Sequence, residues 1–482
     1  MFNKIYQDQK LPFRLFTLSI LILLTLPVLI QDGMFLDAML YTCVSHNLSH
    51  GIGTFWFPQL SPSNFFGFPF FLEQPPLVFG IQSLFFRLLG DSMYVERFYT
   101  FLTTCITAIL ITRLWKDIFS NEKAIKELSW LPVLIWITIP GCIWSYSNNM
   151  MENSMAIFDL IAVILTLRAL NSEKPETIKF FLAGLFIFLA TFSKGVPGAF
   201  PLTIPFLHWV IFRKKSFSNI FTGTIILTAV PLVIYFILFQ FPQSRESLLY
   251  YATKRLLVRI NDSPTVTTRF FIVKSLFTEL IPQLILAFII ITIAKLKKLN
   301  LWLISNRKRT IFFGSAGLAA SMPLALTLVQ RGFYLVPSFP YFAIAISLVI
   351  APVIFYFKEY ISGNKKLLMI SSFLCSLLLV FSIALTLMQK GKSQRDKEML
   401  HDVHAIGNNI PAKSEITVNQ NIASNMVLEC YFIRYYSISL YIDEPRQYLM
   451  VEKSTKPPDS LKFAKLNIAT QKYDLFIGKD RK

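Results

Sequence analysis

Charged residues are scarce in this sequence. Asp, Glu, Lys and Arg make up 16% of the 482 residues, whereas hydrophobic residues make up 54% and the mean hydropathy is +0.52. Soluble globular proteins carry roughly 25% charged residues. The composition therefore excludes an ordinary soluble domain and is typical of a polytopic membrane protein.

Several sequence motifs are absent as well. None of the five cysteines forms a C-x-x-C pair, so the sequence shows no thiol-redox or zinc-ribbon motif. The 18 glycines contain no G-x-G-x-x-G pattern, so nothing indicates a dinucleotide-binding fold. The net charge of +19 lacks the basic face with interleaved aromatic residues that nucleic-acid binding requires, and we expect no nucleic-acid partner.

The positive charge fits a membrane topology instead. Lys and Arg cluster beside apolar segments, and most of them fall in the inner connections when the N-terminus is placed inside. Eleven segments approach the roughly 20 residues that cross a bilayer, the first of them an uncleaved span because no small-residue cleavage site follows it. An odd count puts the C-terminus outside. The segments are 13–31, 93–115, 128–146, 152–170, 177–193, 196–212, 218–240, 272–294, 310–329, 334–357 and 367–388.

Two regions differ from these spans. The apolar stretch 77–89 is short and follows two prolines, and it predicts a helix lying along the membrane interface. Residues 389–482 contain the alternating runs SEITV, YSISLYI, QYLMVE and YDLFIG, divided by turn-forming residues. These runs are typical of strands, so the sequence predicts a small α/β domain on the outer side.

Polar residues gather on that predicted outer side. Polar groups near a membrane are costly and are therefore candidate functional residues. Solute transporters need such groups near the midplane, and few are found there, which favours chemistry or binding at the outer interface. The outer set includes Asp32, Asp37, Glu73, Gln74, Asn148, Asn149, Glu152, Lys194, Glu246, Lys254, Arg255, Arg259, Asp262, Arg269, Arg331 and Tyr334.

Structural roles compete with functional ones at several of these positions. Asp32 could cap a helix, and a carboxylate at the start of a span, such as Glu152, favours the helix dipole whatever else it does. His46 and His50 have the i,i+4 spacing that suits a metal on one helix face, although no matching acid follows nearby in the sequence. His401 and His404 are expected on the surface of the tail.

Seven short motifs follow one another in a recognisable order. They resemble the GT-C glycosyltransferases of the protein O-mannosyltransferase and lipid A aminoarabinose transferase superfamily, over roughly residues 20–350. That family has an acid after the first span, a Trp-x-Pro segment, an acid-(Lys or His)-Pro-Pro-Leu motif and a Gly…Ala-Arg-leucine stretch. Later come an acid opening a span, a Thr-Lys-Gly-Pro turn and a Lys-Arg-x-x-Tyr-x-Leu-Pro-x-x-Pro segment. The motifs here are QDGMFLDAMLY, FWFPQL, FLEQPPLVFG, LLGDSMYVERFYTFL, NNMMENSM, SKGVPGAFPL and QRGFYLVPSFP.

The sequence departs from the family pattern at three places. Gln74 stands where relatives commonly carry a cation, and Glu152 stands where Asp is usual. Val196 separates Gly195 from Pro197 in the turn. The first departure weakens the assignment of a phosphate or acceptor contact to Gln74.

The resemblance implies a fold and an activity. It implies a GT-C membrane domain over 1–388, with outer loops 32–92 and 241–271, and a soluble periplasmic α/β domain over 389–482. The activity is inverting transfer of a sugar from a polyprenyl-phosphate donor to a glycolipid such as lipid A, or to a protein. The reaction would take place at the periplasmic face of a bacterial inner membrane.

The resemblance also assigns roles to residues. Asp32 is expected to be the base that takes the acceptor proton, and Glu73 a second acid and metal ligand, with a divalent metal as the candidate cofactor. Cations that contact the donor phosphate would come from Lys194, Arg255, Arg259 and Arg331, beside Tyr334. Supporting or acceptor contacts are expected from Gln74, Glu152 and Asp37.

Two other functions share these features. A transporter or flippase for a lipid-linked sugar would have the same lipid groove and outer cations, but would not need the acids for turnover. A noncatalytic membrane scaffold would explain the cation missing at Gln74. The long outer loop and the soluble tail favour the enzyme, and the missing dinucleotide motif fits a lipid-linked donor.

Overall fold

The structure, a computed structural model, is mostly helical. It describes residues 8–63, 70–174, 176–213, 216–258, 264–298, 306–442, 444–455, 459 and 462–479. The helices are α1 Leu11–Leu29, α2 Leu36–Ser49, α3 Leu77–Leu89, α4 Tyr94–Ile118, α5 Lys123–Lys126, α6 Leu131–Ile137, α7 Pro140–Tyr146, α8 Met151–Asn171, α9 Thr177–Lys194, α10 Ile204–Phe212, α11 Phe217–Leu238, α12 Pro242–Tyr250, α13 Phe271–Leu296, α14 Arg307–Ser321, α15 Phe339–Gly363, α16 Lys365–Met388, α17 Lys397–Gly407, α18 Gln420–Ala423 and α19 Met426–Tyr436.

Short helices of other types connect some of these elements. Three 3-10 helices cover Val196–Thr203, Met322–Leu326 and Gly332–Ser338, and a π-helix covers Tyr251–Leu256. The predicted outer loop 241–271 is therefore partly helical, since α12 and the π-helix occupy its first half.

The number of spans is smaller than the eleven that the sequence predicts. Among the described residues, eight helices are long and apolar enough to cross a membrane, or nine if the bent pair Lys123–Ile137 and Pro140–Tyr146 is one span. The predicted spans 196–212 and 310–329 account for the difference. Both are helical, but each is divided between a short α-helix and a 3-10 turn, because prolines interrupt the hydrogen-bond ladder.

The chain forms two compact units. We call Met1–Val28, Thr100–Ser147 and Met151–Met388 the membrane unit, and Leu29–Tyr99, Asn148–Met150 and Gln389–Lys482 the loop–tail unit. The first predicted outer loop thus belongs to the same unit as the C-terminal segment.

The membrane unit has a buried core and apolar outer helices. Its core contains large side chains that are fully buried, including Trp115, Trp136 and Phe339. In the apolar 18-residue segment of each helix, only 22% of α13 and 17% of α16 is buried. A helix that exposes apolar side chains in this way is stable when lipid covers it, which accords with the membrane assignment.

The loop–tail unit contains the predicted α/β fold. Its five strands are β1 Glu415–Val418, β2 Ser439–Ile442, β3 Tyr448–Glu452, β4 Phe463–Lys465 and β5 Tyr473–Gly478. The sheet order is β2-β1-β3-β5-β4, in which β1 pairs in parallel with β2 and β3, and β5 pairs antiparallel with β3 and β4. Four of the five strands, β1, β2, β3 and β5, lie on the alternating runs and confirm the strands predicted there. The three-residue β4 was not predicted.

Two amphipathic helices accompany this sheet. Helix α17 buries Leu400, Val403 and Ile406, and α19 buries Tyr431 and Phe432. The two helices pack together, and α19 also packs against α2. Residues of the first loop and of the tail consequently share one core.

The short helix α3 confirms the element predicted at 77–89. It begins after Pro76, whose carbonyl accepts a hydrogen bond from the N–H of Gly80. Proline suits a helix start because it has no N–H to leave unpaired.

Candidate functional site

Asp32 accepts three hydrogen bonds inside the loop–tail unit. Its Oδ2 lies 2.6 Å from Nε2 of His404, and its Oδ1 accepts bonds from the hydroxyl of Tyr435 at 2.6 Å and the N–H of Gly33 at 2.8 Å. Its own N–H donates to the carbonyl of Lys392 at 2.8 Å. A carboxylate offers about four acceptor positions, so one position remains for another donor.

The two partner side chains come from helix ends. His404 lies in the last turn of α17. Tyr435 lies in the last turn of α19, and its ring stacks on that of Tyr431 one turn earlier, at 6.0 Å between centroids. Helical spacing therefore fixes the position of the Tyr435 hydroxyl.

A second tyrosine holds the other nitrogen of the imidazole. Nδ1 of His404 lies 2.9 Å from the hydroxyl of Tyr436, which also lies 3.2 Å from Oδ1 of Asn408. The Tyr436 ring packs directly over Gly407, where a Cβ atom would come within 2.3 Å of it. Gly407 is therefore required for the approach of α19 to the end of α17.

These contacts set the charge state of Asp32. Burial by itself would raise the pKa of the Asp32 carboxyl. The hydrogen bonds from His404 and Tyr435, with the charges of His404 and Arg97, outweigh burial and lower the pKa below its ordinary value. Asp32 is thus ionised at neutral pH. Burial raises the pKa of Tyr435, which keeps its hydroxyl protonated as a donor.

A buried ionic network continues from the backbone next to Asp32. The Arg97 guanidinium donates to the carbonyl of Gln31 at 2.8 and 3.0 Å and to Glu96 at 3.0 Å. Glu96 in turn accepts from Arg434 of α19 at 2.8 Å. Buried charges are tolerated when paired and hydrogen-bonded in this way. The network ties the Gln31–Asp32 backbone to the tail helix.

The other predicted site residues of the first loop lie in the same unit. Gln74 is buried, Glu73 is half-buried, and both precede α3. Asp37 is half-buried in the first turn of α2, where a carboxylate favours the helix dipole.

In the membrane unit, two predicted residues form a buried ion pair. Nζ of Lys194 lies 2.9 Å from Oε1 of Glu152, and both side chains are buried. Lys194 ends α9 and Glu152 opens α8. The same ammonium lies 5.7 Å from the ring centroid of Tyr334, within the range of a cation–π contact. The structure thus brings together one predicted cation, one predicted acid and one predicted tyrosine.

The turn after Lys194 has a constrained backbone. Gly195 has φ of +86°, and a Cβ atom there would collide with the hydroxyl of Tyr251. Tyr251 begins the π-helix that contains Arg255, which is half-buried. The predicted phosphate-binding loop therefore packs on the Lys194–Gly195 turn.

Two further predicted cations have different positions. Arg331 is exposed and precedes the 3-10 helix that holds Tyr334. The N–H of Tyr334 donates a hydrogen bond to the carbonyl of Arg331 at 3.1 Å. Arg259 and the acid Asp262 lie outside the described residues.

A cavity of about 530 Å³ in the membrane unit lies elsewhere. It is lined by Asp117, Arg168 and Asn171, so it adjoins the C-terminal end of α8, whereas Glu152 begins that helix. A helix of this length separates its ends by roughly 30 Å. The cations that line this cavity are paired with acids, as Arg168 is with Asp117 at 2.7 Å. We do not place the predicted chemistry there.

Known proteins resemble the chain in sequence and in fold. Residues 73–239 match the family model of dolichyl-phosphate-mannose-protein mannosyltransferase. ArnT from Cupriavidus metallidurans bound to undecaprenyl phosphate superposes with a TM-score of 0.65 at 10% identity, over 96% of this chain and 97% of that chain. The same enzyme in the apo state gives 0.64 at 10% identity, with the same coverage. A search of curated proteins gives no match.

The chain has the fold of a GT-C membrane glycosyltransferase. This confirms the fold class predicted from the motifs. The family-model match over residues 73–239 supports the predicted superfamily. The family-model match begins at Glu73 and takes in Glu152 and Lys194, whereas Asp32 and Tyr334 lie outside it. Together, the match and the GT-C fold support glycosyl transfer from a lipid-phosphate donor.

Some residues at these sites were missed in the sequence. His404 was expected on the tail surface, but it is bonded to Asp32. Tyr435 and Tyr436 were not singled out, although two adjacent tyrosines after a helical pattern are a visible signal. Asp159 was missed too: it is fully buried in the middle of α8, and its carboxyl has no hydrogen-bond partner among the described residues.

Proposed function

We propose that this protein transfers a sugar from a polyprenyl-phosphate donor to a glycolipid or a protein acceptor, with inversion at the anomeric carbon. The observation that carries the proposal is Asp32, an ionised and buried carboxylate whose three bonds hold it in one orientation. Its remaining acceptor position suits an acceptor hydroxyl. The GT-C fold supplies the reaction class.

In the proposed reaction, the acceptor oxygen attacks the anomeric carbon and the bond from that carbon to the phosphate oxygen breaks. The phosphate leaves with the bonding electron pair, and the hydroxyl proton passes to Asp32. Because the pKa of Asp32 is low, the carboxylate chiefly orients the hydroxyl and takes the proton late. Glu73 is proposed as a second acid in the same unit and as a metal ligand.

Lys194 is proposed to meet the negative charge of the donor phosphate. Without donor, Glu152 neutralises the ammonium at 2.9 Å. A phosphate that competes for Lys194 would exchange one charged partner for another, so little desolvation is added on binding. Arg255, Arg259 and Arg331 are proposed to supply further phosphate contacts, beside Tyr334.

The proposed location is a bacterial inner membrane, with the N-terminus in the cytoplasm and the tail in the periplasm. The distribution of Lys and Arg along the sequence supports this orientation. Gln74 and Asp37 are assigned supporting roles near the acceptor, and Glu152 supports Lys194.

A flippase for the lipid-linked sugar is the second candidate, and Asp159 favours it. A buried carboxylate without a hydrogen-bond partner inside a span is typical of transport pathways. A flippase would move the lipid-linked donor across the vesicle membrane without forming a glycosylated product.

The test is a transfer assay on the purified protein in detergent. A panel of polyprenyl-phosphate sugars serves as donors, membrane lipid extract or protein as acceptor, and products are read by mass spectrometry. A product heavier than its acceptor by one sugar residue supports the enzyme and names both substrates. Donor movement across proteoliposomes with no product from any donor would favour the flippase.

A further inference from the structure

His46, His50 and Asp91 converge within the loop–tail unit. His46 and His50 occupy successive turns at the end of α2, and Asp91 lies in the turn between α3 and α4. Nε2 of His46 lies 3.4 Å from Oδ1 of Asp91, and Nε2 of His50 lies 3.3 Å from it. The three ligand atoms all lie within 4.8 Å of one another. Asp91 thus provides the acid that is missing near His46 and His50 in the sequence, and the fold brings it to them.

We propose that these three residues bind a divalent transition metal ion, with Zn²⁺ the best fit. Zn²⁺ accepts two imidazoles and a carboxylate at about 2.0–2.1 Å, and ligands arranged tetrahedrally at that distance are roughly 3.3 Å apart. The two His–Asp separations, 3.4 and 3.3 Å, agree with this spacing. Mg²⁺ and Ca²⁺ prefer oxygen ligands, so two imidazoles disfavour them.

A simple ion pair explains the same distances less well. Hydrogen bonds between a charged nitrogen and a carboxylate measure about 2.7–2.9 Å. The His–Asp distances here are 3.3 and 3.4 Å. His46 is buried, and neither of its ring nitrogens has a hydrogen-bond partner among the described residues. A buried polar group left in this state is costly, and a metal bond to Nε2 removes that cost at one of the two nitrogens.

The second histidine is oriented as a ligand. Nδ1 of His50 lies 3.0 Å from the carbonyl of His46, which only accepts hydrogen bonds, so Nδ1 carries the hydrogen. In the neutral imidazole, Nε2 then presents a lone pair towards Asp91, whose Oδ2 lies 3.3 Å away, and a cation between them relieves the repulsion. Metal-binding histidines characteristically donate their second N–H to a carbonyl in this manner.

The site has room for further ligands, and metal binding there would also affect the local structure. The side chain of Asp91 is 62% exposed, so water can complete the coordination. Arg434 donates to the carbonyls of Asp91 and Ser92 at 3.0 Å, and its charge is paired with Glu96. A bound ion would therefore fix a turn that the tail helix α19 also holds. This inference is independent of the proposed function.

The experiment measures Zn²⁺ binding to the full-length protein in detergent, purified with a tag that lacks histidine. Chelator-stripped protein is titrated with Zn²⁺ against a chromophoric indicator, and bound metal is counted after desalting. We expect one site that Mg²⁺ does not compete for, and a rise in melting temperature on binding. Asp91→Asn and His50→Gln should each weaken binding by about tenfold or more, because each loses one of three ligands.

The matched control is His401→Gln, which removes the exposed histidine paired with Asp402 at 3.2 Å. It should bind Zn²⁺ like the wild type. The metal-free melting temperature of each variant shows whether it folds, and Asp91→Asn changes a side chain that is mostly exposed. Wild-type protein without Zn²⁺ binding would overturn the proposal. Equal affinity in the wild type and Asp91→Asn would overturn it too, because the metal would then lie elsewhere.

Discussion

Nε2 of His404 lies 2.6 Å from Oδ2 of Asp32, and the two residues are 372 positions apart in the chain. Asp32 follows the first span, whereas His404 belongs to helix α17 of the C-terminal segment. The tail therefore supplies part of the environment of the proposed catalytic carboxylate. We therefore expect the tail to influence the proposed transfer activity.

Replacing His404 with Gln should shift the pH dependence of transfer. His404 lowers the pKa of Asp32 by its hydrogen bond and its charge, whereas burial raises it. Without the imidazole the pKa of Asp32 rises, so the carboxylate loses its charge at a higher pH. The acidic limb of the rate–pH profile should move to higher pH. An unchanged profile, matching that of the control His401→Gln, would contradict a positioning role for His404.

Replacing Lys194 with Met should impair both folding stability and transfer. The change leaves Glu152 buried without its partner, which costs about 3–5 kcal/mol. The double variant Lys194→Met/Glu152→Leu should regain most of the melting temperature but not the transfer activity. Recovery of both in the double variant would show that Lys194 serves only stability. Arg168→Met, which breaks the pair with Asp117, is the matched control for transfer.

Replacing Gly195 with Ala should reduce transfer more than replacing Gly90 with Ala. The two glycines have nearly the same backbone angles, φ +86° and ψ −153° at Gly195 and φ +83° and ψ −164° at Gly90, so both substitutions carry a similar backbone strain of about 1–3 kcal/mol. Only Gly195 also faces Tyr251, whereas nothing lies within 4 Å of a Cβ atom at Gly90. The comparison separates strain from displacement of the Arg255 loop. An equal loss of transfer activity in both variants would show that the Arg255 loop has no part in the mechanism.

Replacing Glu429 with Gln should flatten the dependence of stability on pH. Burial raises the pKa of Glu429 from 4.5 to about 8, despite the bonds from Ser61 and the N–H of Leu440. The folded state therefore binds a proton that the unfolded state releases above its ordinary pKa. Stability from this group is complete below pH about 4.5 and is lost as the pH rises towards 8. Melting temperatures of the two proteins from pH 5 to 9 should diverge on the alkaline side. Parallel curves would contradict this assignment.

Local patterns predicted the elements well, but not the contacts between distant ones. The apolar segments predicted the helices, and alternation predicted four of five strands, because burial imposes a period on each element. Strand β4 escaped because three residues are too few to show a period. Prolines at 197, 201 and 323 divide two predicted spans, so neither is one continuous helix of membrane-spanning length.

The candidate site was predictable in part for a related reason. Asp32 and Lys194 lie within ordered motifs, so they could be selected as candidates from one sequence. The contact of Asp32 with His404 could not be predicted, because it forms only through the tertiary fold. The same holds for the approach of Asp91 to His50. Glu152 was visible as an acid opening a span, but its pairing with Lys194 depends on how α8 packs against α9.

The most direct measurement is the rate of sugar transfer by Asp32→Asn. The amide cannot accept the hydroxyl proton, so the rate should fall by about 10²–10⁴-fold, while the melting temperature shows that the protein folds. Glu73→Gln should also lower the rate strongly. The matched control is Asp474→Asn, which removes an exposed pair with Lys465 and should leave the rate unchanged. A folded Asp32→Asn protein with near-normal transfer would contradict the assignment of Asp32.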